Sequence, residues 1–254
     1  SDRSVKEELR TISSYKKTMI EDLWERVLIS AMKLPGIAVN RREFLSRELA
    51  PYFDRKVINE ILDGHTKMKN VLSRKDVQKL AEGCISYHLT KASLISAVAG
   101  VPGGFAMLAT IPADMAQFYG HVLALAQKLL YLYGWPDLRN GGKGMDDGTR
   151  QILTLFVGVA FGSSQAAIMA KKIAERLAEE AAQRVPQTVL GQLAARGVVE
   201  QAGKWIGVQI AKNGTGKSFA KLIPFIGAPI SAAATYYSFK PMAQRLKKHL
   251  DEQW

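Results

Sequence analysis

Along most of this chain apolar side chains recur every three or four residues, and alternating runs are nearly absent. That period belongs to helices with one buried face, so the pattern predicts an all-α protein. Leu9, Ile12, Tyr15, Met19, Leu23, Val27 and Met32 fall near one face of a helix over residues 1–34, with charged side chains opposite. Leu34-Pro35-Gly36 ends it. Asn40 with Glu43 reads as an N-cap and its capping-box partner, opening a short helix over 41–50. Asp54 caps the next helix, which stops at Gly64. Ser73 with Asp76 opens a longer helix that runs toward Gly100.

The character changes at residue 92. From Ala92 to Trp135 the only formally charged residues are Asp114 and Lys128. Gly100-Val101-Pro102-Gly103-Gly104 and Thr110-Ile111-Pro112 interrupt this apolar run, which predicts a bent helical hairpin rather than one straight element. The expected organisation is a single helical domain, with amphipathic helices from residues 1–91 packed on a core formed by residues 92–254. Three stretches carry no formal charge: Ala92–Ala113, Gln151–Ala170 and Leu222–Phe239. Each approaches the ~20 apolar residues of a bilayer span. They are rich in Gly, Ala, Ser and Thr, and two contain Pro, so the reading is buried core helices. A toxin-like insertion of the 92–113 hairpin into membrane is the competing reading. Between these stretches, Gly134 to Gly148 reads as a mobile loop. A helix is expected from about Thr149 to Arg184, with Gly162-Ser163-Ser164 inside it. Another starts at Pro186, Asn213 to Gly216 forms a turn, and a last helix reaches about Leu250.

Charge narrows the partner. The 254 residues carry a net charge of +12. A balance of that size favours an anionic partner. Residues 201–250 contain eight Lys/Arg and no Asp or Glu, with aromatics at Trp205, Phe219, Tyr236, Tyr237 and Phe239. Tyr and Trp favour the membrane–water boundary, and basic residues favour anionic lipid. Lys240, Arg245, Lys247 and Lys248 are expected on the exposed face of the terminal helix. The basic residues fit no nucleic-acid module, so nucleic acid is not expected as a partner. Cys84 is the only cysteine, which removes an internal disulfide and favours a reducing compartment. No signal-peptide pattern opens the sequence, and the expected location is cytoplasmic, at the inner face of the membrane.

Four segments carry a family likeness: Gly100-Val-Pro-Gly-Gly, Ile111-Pro-Ala-Asp114, Gln127-Lys-Leu-Leu-Tyr-Leu-Tyr-Gly134 and Leu222-Ile-Pro-Phe-Ile-Gly227. In these the chain resembles the EcsC protein family over most of residues 90–250. The resemblance implies a helical bacterial protein associated with membranes. It implies no catalytic residues.

Candidate chemistry is sparse. Ala211-Lys-Asn-Gly-Thr-Gly-Lys217-Ser218 fits a loose phosphate-loop pattern, but the residues before it look helical, and a phosphate loop follows a strand. On the helix that starts near Pro112, Asp114, Gln117, His121 and Lys128 fall within about 60° of one another. A carboxylate and an imidazole on one face could act as acid and base, but two turns separate them. The stripe is therefore read first as structural, and otherwise as a candidate ligand or lipid-headgroup site. No histidine pair has metal-ligand spacing, and no cofactor is expected. The expected function is a non-enzymatic protein, peripheral at anionic membrane, with lipid and a membrane protein as its expected partners. The alternative is a hydrolase using Asp114 and His121. The expected lipid-facing residues are Asp114, Gln117, His121, Lys128, Tyr236, Tyr237, Lys240, Arg245, Lys247 and Lys248.

Overall fold

A computed structural model describes residues 2–98, 111, 113–139, 146–180, 185–186, 188–189, 191–192, 197–213 and 232–254. Among these residues there are ten helices and no strand. They are α1 (Asp2–Met32), α2 (Arg41–Leu49), α3 (Arg55–Leu62), α4 (Met68–Val71), α5 (Arg74–Val98), α6 (Ala113–Leu132), α7 (Asp147–Ala160), α8 (Ser164–Glu180), α9 (Val198–Asn213) and α10 (Ala232–Asp251).

The helix starts follow the caps written in the sequence. Asn40 accepts a hydrogen bond from the Glu43 amide at 3.0 Å, Asp54 from Val57 at 3.0 Å, and Ser73 from Asp76 at 3.1 Å. Each satisfies an amide that the first helical turn leaves without a partner. Gly64 ends α3 with a positive φ of 80°.

The centre of the bundle is α6. Fifteen of its twenty residues are buried. Burying one Leu- or Phe-sized side chain stabilises by ~1.5–3 kcal/mol, so this helix anchors the fold. Helices α1, α2, α5, α7 and α10 surround it. Helix α5 runs antiparallel to α10: Lys247 and Gln244 reach Glu82, while Arg74 reaches Trp254. Helices α6 and α10 share a direction, since Phe118 meets Phe239 near their starts and Tyr133 meets Trp254 near their ends. Helix α7 returns along α10, with Phe156 on His249 and the Arg245 guanidinium donating to the Ala160 carbonyl. Helix α1 crosses α6 and packs closely on α9, and the Trp24 indole donates to Thr154 of α7 at 3.0 Å.

Two expectations are corrected. The helix expected over 149–184 is two helices. Gly162 at φ 87° turns the chain, and Ser163 caps α8 by accepting from the Ala166 amide. Gly-Ser-Ser is therefore a turn, not packing inside a helix. Of the loop expected over 134–148, residues 140–145 lie outside the described residues, and residues 134–139 are more tightly held than their composition predicts. Trp135 and Leu138 are buried, Trp135 meets Phe156, and Thr149 donates to the Leu138 carbonyl at 2.7 Å.

The expected boundary at 91/92 falls inside α5, and one apolar cluster draws side chains from both sides of it. The Gly100–Pro102 and Thr110–Pro112 breaks and the phosphate-loop-like residues 214–218 lie outside the described residues, apart from Ile111, which is buried. No described helix is long and apolar enough to cross a membrane.

Candidate functional site

The end of the bundle where α5 stops and α6 and α10 begin holds most of the polar residues singled out above. On α6 the stripe does not act as one unit. Asp114 is half-buried, and its carboxylate accepts from the Met115 amide at 2.9 Å, as an acid in a first helical turn does. The Gln117 side-chain carbonyl is buried without a hydrogen-bond partner. His121 turns to α5, where its Nδ1 lies 3.0 Å from Nδ1 of His88. The Lys128 ammonium sits over the rings of Tyr87 at 4.8 Å and Phe44 at 5.8 Å. Burial lowers its proton affinity, Arg47 acts in the same direction, and Cys84 and Glu48 oppose them. The hydrogen bonds of Asp114 and His121 go to Met115 and His88, not to each other.

The two histidines share one hydrogen bond. One Nδ1 must carry a proton and donate while the other accepts. Burial, then Lys128 and His121, push His88 down to about 2. Burial, then Lys128 and Lys91, also lower His121. The remaining nitrogen of His88, Nε2, is buried without a partner. One turn before His88, burial and then Glu48 raise the Cys84 thiol to about 12. Among the described residues no group of three or more His, Cys, Asp or Glu side chains is placed to hold a metal ion.

This pair has a pH consequence. Histidines in an unfolded chain titrate near ~6.5, whereas His88 and His121 in the folded protein take up protons only at lower pH. The unfolded state therefore binds more protons as pH falls below ~6.5, and stability that is complete above this value is lost on acidification. His249, lowered by burial, adds to the same trend. The thermal midpoint is expected to fall between about pH 7 and about pH 5, and to fall less in His88→Phe, whose ring cannot take a proton. Equal falls in both proteins would remove His88 from this account.

On α10 the aromatic and basic residues separate. Tyr236 and Tyr237 are 37% and 74% exposed and meet edge to face. The Lys240 ammonium lies 3.2 Å from the Tyr236 hydroxyl and over its ring. Phe239 instead is buried against Phe118, and Trp205 packs on Phe161. Phe219 lies outside the described residues. Lys248 is exposed, as expected. Arg245 is exposed, but one of its nitrogens donates to Ala160. Lys247 corrects the expectation: its side chain is 14% exposed and pairs with Asp251 at 3.1 Å and Glu82 at 3.5 Å. Glu82 lies on another helix, which local spacing does not reveal.

The sequence reading missed two contributors. His88 completes the pair with His121. Tyr87, 53% exposed, has Lys91 over its ring at 5.7 Å. The signal was present: Tyr followed four residues later by Lys occurs at 87/91 and again at 236/240, and that spacing places the two side chains together on a helix. No family model, curated protein or solved structure matches the chain.

Proposed function

We propose that this protein attaches reversibly to anionic membrane through the end of the bundle where α5 stops and α10 begins. The observation that carries the reading is the exposed Tyr236–Tyr237 pair, with Lys240 bonded to Tyr236. Tyrosine is amphipathic and seats at the headgroup level. Tyr87 with Lys91 repeats the arrangement on α5. Lys91 and Lys240 supply about 2 kcal/mol at ~1 kcal/mol for each basic residue near anionic lipid. Burial of tyrosine ring area adds ~25 cal/mol per Å² in a form that salt does not screen. The sum gives weak, reversible attachment. A cytoplasmic location at the inner face of the membrane, a membrane-protein partner and EcsC-family membership belong to the same proposal, the last resting on the four segments quoted above.

Flotation with vesicles tests it. The protein is expected to float with anionic vesicles, less so at high salt, and little with neutral ones. Tyr236→Ser/Tyr237→Ser/Lys240→Glu is expected to lose most of the binding while keeping its helical signal, because all three side chains are exposed. Unchanged flotation of this variant, or equal flotation with neutral vesicles, contradicts the proposal.

A further inference from the structure

At the opposite end of the bundle a groove of about 190 Å³ lies among the α3–α4 connection, the end of α6, the last turns of α8 and the end of α10. Its floor is apolar: Met68, Trp135 and Leu177 line it and are buried. Its rim carries Arg41, Lys67 and Lys69, and no lining residue is Asp or Glu. We propose that this groove binds a small free carboxylate that carries one aromatic ring or a short alkyl chain.

Size and charge select that class. An apolar cavity of ~150 Å³ takes a benzene molecule, so this groove has room for a ring or a short chain and little more. Several helices end here, and their terminal carbonyls favour cations. Two of the rim cations are partly occupied in that role. Arg41 donates to the Trp135 carbonyl at 3.0 Å, and the Lys67 ammonium lies 3.5 Å from the Ala178 carbonyl. The carbonyls of α6 are also paired within the chain, since the Tyr133, Gly134 and Trp135 amides turn back onto Leu129, Tyr131 and Leu130. Lys69 is exposed, and no acid of the described residues pairs with it. An ammonium beside an apolar floor attracts an anion whose other end is apolar. A fully polar anion gains nothing from the floor, and an amine meets like charge at the rim.

Octanoate is the probe, titrated calorimetrically against the whole chain beside 1-octanol and octylamine. Saturable octanoate binding in the millimolar range or tighter is expected, with octanol weaker and octylamine weaker still. Lys67→Gln/Lys69→Gln alters only exposed side chains, and is expected to weaken octanoate at least tenfold while leaving octanol unchanged. Leu177→Trp fills the groove and is expected to abolish binding of both, with folding checked by its helical signal. Octylamine binding as tightly as octanoate, undiminished octanoate binding to the double lysine variant, or no saturable octanoate binding overturns the proposal. The lysine variant is expected to float with anionic vesicles like the parent, so this result stands apart from the membrane reading.

Discussion

Gly207→Ala is expected to destabilise the protein by about 3 kcal/mol, at the upper end of typical overpacking costs. Gly207 lies in α9 where it crosses α1, and a Cβ there would fall far inside van der Waals contact with the Ile20 carbonyl oxygen. That oxygen belongs to helix backbone and cannot rotate away as a side-chain end can. The two helices must separate, and Trp24, which lies beside Gly203 one turn away, would lose packing with them. For a chain of this length the midpoint drops ~2–4 °C per kcal/mol, so a fall on the order of 10 °C is expected in thermal unfolding. Gly83→Ala is the matched control. Gly83 lies within α5 with nothing near its missing Cβ. There alanine removes the unfolded chain's extra freedom and is expected to stabilise by roughly 0.5–1 kcal/mol. The same substitution thus carries opposite signs at two helical positions, and equal shifts would refute the close approach of α1 and α9.

Gln127→Leu is expected to cost about 2–6 kcal/mol, although it replaces a polar side chain in the core by an apolar one. Gln127 is fully buried in α6. Its carbonyl accepts from the Val39 amide at 2.9 Å, and its amide donates to Ile37 at 2.9 Å and Leu123 at 3.0 Å. The link between α1 and α2 is thereby held on the central helix. Leucine leaves the Val39 N–H and the Ile37 carbonyl facing apolar surroundings, at ~1–3 kcal/mol for each orphaned group. Gln117, ten residues earlier in the same helix, has a buried carbonyl without a partner. Gln117→Leu is therefore expected to be neutral or stabilising. Denaturant unfolding of the two variants decides the matter, and a loss from Gln117→Leu as large as that from Gln127→Leu would contradict it.

Much of the fold was legible because helices are written locally. The caps at Asn40, Asp54 and Ser73, the ending at Gly64 and the apolar period of α1 each involve residues within a few turns of one another. The misses are long-range. His88 meets His121 33 positions away, and the Gln127 carbonyl meets the Val39 amide 88 positions away. The stripe on α6 marked which residues are polar, not what α5 would bring against them. Lys247 looked like one more surface cation, since Glu82 comes from α5. Gly162 was misread because the residues on both sides continue the same helical period while its positive φ turns the chain. Tyr236, Tyr237 and Lys240 were legible because their contacts lie on one helix.

In the proposed attachment, the end of the bundle that carries Tyr236, Tyr237 and Lys240 faces lipid. The most direct test attaches an environment-sensitive fluorophore at Ser238→Cys, between the exposed tyrosines and Lys240, and in a second protein at Asn70→Cys on α4 at the opposite end. The native Cys84 is buried with its thiol raised to about 12, so it does not compete for the label. With anionic vesicles containing nitroxide-labelled lipid, the probe at 238 is expected to shift to the blue and be quenched, while the probe at 70 is unchanged. Vesicle-bound protein in which position 70 responds as strongly as position 238, or in which position 238 stays in water, contradicts the account.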